Sequence, residues 1–197
     1  MTRAEALTVG EARARYFAEA GFPPDGGYTA KFVKLGQLGP IPLGFPNSDA
    51  RRKAVGIHDL HHVATGYKTD WTGEAEISAW EIASGCGRLW FAWYINLQGM
   101  MMGWVVNPGA TWRAWVRGRH SRNLYREGVS AALLGEGVAE LRARLRLDRP
   151  APAPQPADRA SYAFWCCAAM LDAALTLALL VAPLALLARG IGALLAR

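Results

Sequence analysis

His58, Asp59 and His62 fall within five residues of one another, in the run Ile57-His58-Asp59-Leu60-His61-His62, and Glu74 follows. His58 and His62 are four apart, so on a helix they share one face, about 6 Å apart along the axis. That spacing lets two imidazoles grip one metal ion, which is the mechanical basis of paired histidines in helical metal sites. Asp59 lies about 100° round the helix from His58 and can bring a carboxylate in from the flank. Two imidazoles and two carboxylates suit zinc first, then manganese, cobalt or iron(II). No thiolate belongs to the set, so a purely structural cysteine-type zinc site is not expected. The plain alternative is a histidine-rich helix face on the surface. His61 reads as a donor behind the ligands or as an exposed side chain.

The elements that must position these residues are helices. Residues 49–65 predict a helix capped by Ser48 or Asp49 and stopped by Gly66. A short loop then leads to a helix from about residue 71 to Ser84, with Asp70 or Thr72 as its cap. If the two helices pack antiparallel, His62, one turn before the stop, and Glu74, one turn after the loop, stand at the same level. Glu76 and Glu81 read as ordinary helix-face carboxylates.

Helical spacing also marks residues 3–20, 110–126 and 130–147, the last with Leu133, Leu134, Val138, Leu141 and Leu145 on one face. Residues 28–48 are rich in Gly and Pro and read as an irregular segment. Residues 88–106 are strongly apolar but interrupted by Arg88, Asn96, Gln98 and glycines. A buried helix, or a pair around Gly99 and Gly103, is expected there rather than a membrane span. The tryptophans at 71, 80, 90, 93, 104, 112 and 115 read as an aromatic core, with a tunnel for an apolar tail as the alternative. The expected fold class is all-α, a multi-helix bundle with a C-terminal transmembrane or membrane-associated helix.

The chain has 197 residues, 52% hydrophobic and only 19% charged, which excludes a disordered chain. Net charge is +6, with arginines crowding positions 113–159 directly before an apolar tail. That placement favours a membrane surface over nucleic acid, for which no zinc-finger spacing or RNA-binding motif is present. Cys86, Cys166 and Cys167 have no framework spacing and read as small apolar fillers. The first twenty residues contain no apolar segment of signal-peptide type.

Three units are expected: a helical metal-binding head over 1–148, a Pro/Ala-rich linker over 149–160, and an apolar helix over 161–189. The linker's alternating prolines favour extended polyproline geometry, a spacer of roughly 30–35 Å. Tyr162 to Ala188 carries one charge, Asp172, and exceeds the roughly 20 residues that span a bilayer core. Set at mid-span, Asp172 would cost about 2.5–3.5 kcal/mol against the gains from Leu and Val. It reads as a tolerated polar residue or as a contact to a partner. Arginines at 142, 144, 146, 149 and 159 precede the stretch, which orients the head to the cytoplasm in a single-pass arrangement.

His58-Asp59-x-x-His62, eleven residues, then Glu74 resembles the signature of the Coq-four family of ubiquinone (coenzyme Q) biosynthesis proteins. Val63-Ala64-Thr65-Gly66-Tyr67 and Gly73-Glu74-Ala75 fit its surroundings, and Arg117-Gly118-Arg119 through Leu145 is similar more loosely. The resemblance covers about 45–148; the proline linker and apolar tail lie outside it. It implies an all-helical fold with His58, Asp59, His62 and Glu74 as ligands of one divalent ion, zinc or similar. It also implies a role in ubiquinone biosynthesis: a metal-dependent lyase for C1 (oxidative) decarboxylation of a polyprenylated benzoate precursor at the membrane. The ion would act as a Lewis acid for charge developing on the ring. The alternative is a non-catalytic lipid-binding scaffold that organises other quinone-biosynthesis proteins. The expected partners are therefore a prenylated quinone precursor or another isoprenoid lipid, the membrane, and proteins of that complex. A generic metal hydrolase is disfavoured, because the further His and Asp ligands it needs are not evident.

Overall fold

The computed structural model describes residues 6–195 and is all-α apart from one two-stranded hairpin. Helix α1 (Val9–Ala20) begins at a capping box: the Thr8 side chain accepts from Glu11 N, and the Glu11 side chain accepts from Thr8 N. It ends at Gly21 in the left-handed conformation. Residues 3–5 of the expected first helix lie outside the described residues.

The segment expected to be irregular instead forms strands β1 (Phe32–Leu38) and β2 (Ile41–Pro46), paired antiparallel. Two features hid it. The register slips between Lys34 and Gly36, and most of the hairpin is exposed, so no in–out alternation is written into its side chains.

Helix α2 (Asp49–Thr65) is capped by Ser48, which accepts from Arg51 N, and stops at left-handed Gly66. Helix α3 (Trp71–Ser84) is capped by Asp70, which accepts from Gly73 N at 2.8 Å. Both agree with the caps and stops read in the sequence. Residues 90–106 form a single helix, α4 (Trp90–Val106). Its glycines bring it close to neighbours rather than break it. A Cβ on Gly99 would collide with the Ser78 hydroxyl, and one on Gly103 would stand 2.8 Å from the Ala75 Cβ. Only Ala92, Asn96, Met100 and Gly103 of α4 are buried, so the expected buried helix is a half-exposed one.

Asn107 caps α5 (Pro108–Arg119), with Pro108 at its first position. It ends seven residues short of the expectation. The expected helix over 130–147 is split into α6 (Ala131–Gly135) and α7 (Val138–Arg144). The backbone between them is taken by the N-terminal segment: Val9 N donates to Glu136 O at 2.8 Å and Val138 N to Leu7 O at 3.0 Å. Leu133, Val138, Leu141 and Leu145 are buried, as their spacing predicts.

Helix α8 (Pro156–Leu195) is 40 residues long, with Pro183 inside it. It starts within the expected linker. Asp158, 2% exposed, accepts from Gln155 N and pairs with Arg119 and His120. Tyr162 lies against Trp112 and Trp115, and Trp165 stacks on Trp93 with centroids 4.8 Å apart. The first half of α8 is thus packed on α4 and α5, not held away by a spacer. Residues 156–183 form a helix long and apolar enough to cross a membrane, with only 6% of its most apolar window buried.

Candidate metal centre

His58 and His62 stand on one face of α2, as their spacing requires, and Glu74 meets them from the first turn of α3. The His58 and His62 Nε2 atoms are 3.2 Å apart. Glu74 brings one carboxylate oxygen to 3.4 Å from His58 Nε2 and the other to 3.5 Å from His62 Nε2. Donors bound at about 2.0–2.1 Å to one tetrahedral ion stand ~3.3 Å from each other. The triangle therefore has the edges of a metal site.

The opposite ring nitrogens are committed elsewhere. His62 Nδ1 donates to Tyr67 O at 2.9 Å. His58 Nδ1 donates to Glu81 Oε1 at 3.1 Å. Each hydrogen bond fixes the tautomer that leaves Nε2 free to ligate, and each holds the ring in orientation.

Glu81 had no special claim in the sequence, yet it organises the interior behind the site. It is wholly buried. It receives His61 Nδ1 at 2.5 Å, the Tyr125 hydroxyl at 2.6 Å and the Asn96 amide, besides His58. Leu124 N donates into His61 Nε2 at 2.9 Å, so His61 carries its proton on Nδ1 and is neutral. Burial also lowers the His61 pKa, outweighing its contact with Glu81. Of the two readings of His61, the one realised is the donor behind the ligands: it is 0% exposed. The Asn96 Oδ1 is left without a partner, because the amide is turned to give its N–H to the carboxylate.

The electrostatics follow from this crowding. Burial alone would push the Glu81 carboxyl up, but His58 and His61 outweigh it and hold it far below the usual range. Burial likewise opposes ionisation of Glu74, yet its two imidazole partners lower it to about 2. Burial would lower the His58 pKa, and the facing carboxylates Glu81 and Glu74 override that and raise it well above 6.5. The carboxylates of Glu81 and Glu74, on either side of the ring, thus favour positive charge at His58.

Asp59 does not join the triangle. Among the described residues, the donors that lie within 4.8 Å of one another belong to His58, His62 and Glu74. The Asp59 carboxylate is buried and turned to two phenols, Tyr28, whose hydroxyl donates a short hydrogen bond, and Tyr16 at 3.5 Å. Burial raises its pKa, and both phenols are raised by burial and by the Asp59 charge. Tyr16 also stacks on His62 with centroids 5.3 Å apart, so Asp59 braces a wall of the site through Tyr16.

A cavity of about 460 Å³ opens beside His62, bounded by Tyr16, Tyr67, Lys68 and Arg15 among others. His62 is nearly covered, whereas the Glu74 side chain is 36% exposed, so the triangle is reached from the Glu74 side. The tryptophans do not act as one block. Trp80 and Trp115 are core, Trp71 and Trp90 are exposed, and Trp93, Trp104 and Trp112 are half-buried around α8. Arg117 donates to Thr65 O at the end of α2 and lies over the Tyr67 ring.

Glu81 did leave a signal. It follows Glu74 by seven residues, two turns along the same face of α3. Asn96, noted only as a break in an apolar run, is where that run turns a polar group to Glu81. Tyr125 left none, because it reaches the site from a loop 44 residues away. Family models, curated proteins and solved structures were compared with the chain, and none matches.

Proposed function

We propose that this chain is a membrane-held protein of ubiquinone biosynthesis in which His58, His62 and Glu74 hold one divalent ion, zinc by preference. In this reading it removes the C1 carboxyl of a polyprenylated benzoate precursor as CO2. The observation that carries the reading is the triangle itself: two imidazoles with fixed tautomers and a depressed carboxylate, with edges of 3.2–3.5 Å. The substrate class rests on the resemblance of the His58-Asp59-x-x-His62…Glu74 pattern. The apolar helix beside the head agrees with a water-insoluble substrate.

Three protein donors leave a coordination position open, the arrangement of catalytic rather than structural sites. The bound ion supplies Lewis acidity towards a carboxylate or phenolate. The protein's own residues do the rest. Glu81 and Tyr67 O hold the two imidazoles in their ligating tautomers. The Tyr16 ring stacks on His62 and holds that imidazole in place beside the cavity. Asp59 acts in place, through its phenols, and serves as a fourth ligand only if it leaves them.

A second reading, a non-catalytic scaffold that gathers quinone-synthesis proteins, draws on the long apolar face exposed along α8.

The test is metal analysis of the full chain in detergent, wild type against His58→Ala/His62→Ala, followed by incubation with the precursor and assay of released CO2. Metal in the wild type alone, with CO2 released by the wild type alone, is the expected result. A wild type that carries no metal when supplied with zinc, manganese and iron(II) sinks the centre. Metal without CO2 release, with quinone synthesis still dependent on the chain in cells, transfers the reading to the scaffold.

A further inference from the structure

We propose that α4 is itself a membrane-contact helix, whose outer face lies in the headgroup–acyl boundary of the lipid bilayer that α8 crosses. The inference rests on the reading of α8 as a membrane span.

Helix α4 has no charged residue in its 17 positions. One narrow stripe, Ala92, Asn96, Met100 and Gly103, is buried. The opposite side presents Trp90 (66% exposed), Tyr94 and Val105 (88%) to the surroundings, and Ile95 and Val106 are exposed on the flank. In water such a face is a cost without a return, since exposed apolar area of this extent on one helix marks a contact surface.

What covers it follows from α8. Trp93 and Trp104 are eleven residues apart, about 16 Å along α4. Their partners on α8, Trp165 by stacking and Tyr162 by accepting from the Trp104 indole, are only three residues apart, about 5 Å. Gln98, between them on α4, reaches Asp172 and Thr176 further along α8, so α4 lies against α8 from residue 162 to residue 176, where α8 passes from the packed head into its exposed apolar half. A bilayer that takes up α8 from there meets the outer face of α4 beside it. Aromatic residues mark this contact and the exposed face next to it: Trp93 on Trp165 and Trp104 on Tyr162 between the helices, Trp90 and Tyr94 on the open side of α4. Tryptophan and tyrosine concentrate where a bilayer meets water, because one end of the ring is apolar and the other forms hydrogen bonds.

The depth is consistent. Ala169 is the last wholly buried residue of α8 among the described residues. From Met170 to Ala188 the helix has 19 residues, about 28 Å, close to the ~30 Å hydrocarbon core. Arg189 then stands at the far boundary, within reach of headgroups. Asp172 falls in the first turn of this span, where Gln98 of α4 donates to it. It sits at the boundary rather than mid-membrane, so the large cost of a central charge does not arise. The same α4 turns Asn96 inwards to Glu81, so the bilayer face and the metal centre are two sides of one helix.

The test uses the full chain in phosphatidylcholine vesicles, with Cys166→Ala and Cys167→Ala removing the reactive native thiols. Single cysteines replace Tyr94, Val105, Leu43 on the hairpin, and Leu177 on α8. Each carries a polarity-sensitive fluorophore, read against lipids brominated at shallow or deep positions and against aqueous iodide. Positions 94 and 105 should lose fluorescence to shallow-brominated lipid and resist iodide, 177 should respond to deep-brominated lipid, and 43 to iodide alone. If 177 responds to lipid while both 94 and 105 respond to iodide as 43 does, the α4 inference falls and the span stands. If 177 also responds only to iodide, the span reading falls and takes this inference with it.

Discussion

Glu81 is wholly buried among two imidazoles, a phenol and an amide, while Val105, on the helix packed against Glu81's own, is 88% exposed. The two regions depart from ordinary burial in opposite directions, and each departure has its own compensation. A buried carboxylate is tolerable only where every lone pair meets a donor. At Glu81 the donors come from α2, α4 and the loop after α5, so the charge ties together pieces of chain far apart in sequence. An exposed apolar face has no such internal remedy, and its compensation has to come from outside the chain. The difference separates what the molecule does for itself, holding imidazoles in a ligating state, from what it needs from its surroundings.

The largest effect should come from breaking the polar centre. Glu81→Leu leaves His61, Tyr125 and Asn96 facing an apolar side chain, and should cost about 3–5 kcal/mol of stability, read by denaturant unfolding in detergent. Glu81→Gln keeps shape and part of the hydrogen bonding, and should cost less. Without the charge to hold His58 Nδ1, metal affinity should still fall roughly 10- to 100-fold. Unchanged stability in Glu81→Leu would mean that the polar centre does not bind the fold together. Unchanged affinity in Glu81→Gln would mean that Glu81 does not position His58.

Next comes the helix shared by the two regions. Gly103→Ala sets a methyl group against Thr111 and Ala75, and Gly99→Ala sets one against Ser78. Each should cost about 1–3 kcal/mol by overpacking and lift α4 from α3, loosening Asn96 from Glu81. The sharpening observation is a weaker metal site in the same variants. If only stability falls, α4 supports the fold without tuning the centre.

How much of this was legible in the sequence follows the range of the contacts. Ser48, Gly66 and Asp70 bound their helices as read, because caps and stops act within four residues. The His58–His62–Glu74 convergence was legible for the same reason: one pair shares a helix face, and the third residue lies just past a short loop. Glu81 was not, because its spacing from Glu74 shows only a shared helix face, while the partners that give it a role lie 15 to 44 residues away. Asp59 shows a limit of spacing arguments. Its position on α2 permits ligation, but two tyrosines from a segment with no regular pattern compete for its carboxylate. The break between α6 and α7 was hidden likewise, in backbone bonds to residues 7 and 9.

A smaller effect sharpens the electrostatic half of the comparison. Its raised folded pKa predicts that His58 keeps a proton in the metal-free protein above the pH at which a free imidazole loses it. That proton stabilises the metal-free fold below the ordinary imidazole pKa, and the contribution is lost as pH rises through the raised value. A metal ion must displace the same proton. Affinity should therefore rise about tenfold from pH 6 to 7, with about one proton released per ion. A chelator competition titration, repeated by calorimetry in two buffers of different ionisation enthalpy, measures both. A pH-independent affinity over this range would mean that His58 is already neutral before the ion binds, so that its two carboxylate neighbours do not outweigh burial.

The smallest effect belongs where a polar side chain bridges the two apolar helices. Gln98 donates to Asp172 and to Thr176 Oγ1, the latter at 3.2 Å, across the crossing of α4 and α8. Hydrogen bonds between membrane-embedded helices average only ~0.6 kcal/mol, because the separated helices find other partners. A double-mutant cycle of Gln98→Leu and Asp172→Leu in lipid should give a coupling of that size, with Asp172→Leu alone leaving metal affinity unchanged. A coupling several times larger would mean that the crossing is a sealed interior like the one around Glu81, dry and rigid, and the contrast between the two regions would shrink. No coupling at all would mean that Asp172 already has headgroups or water for partners. The bond would then be incidental, and α8 would be held against α4 by the Trp93–Trp165 stack and by the bilayer.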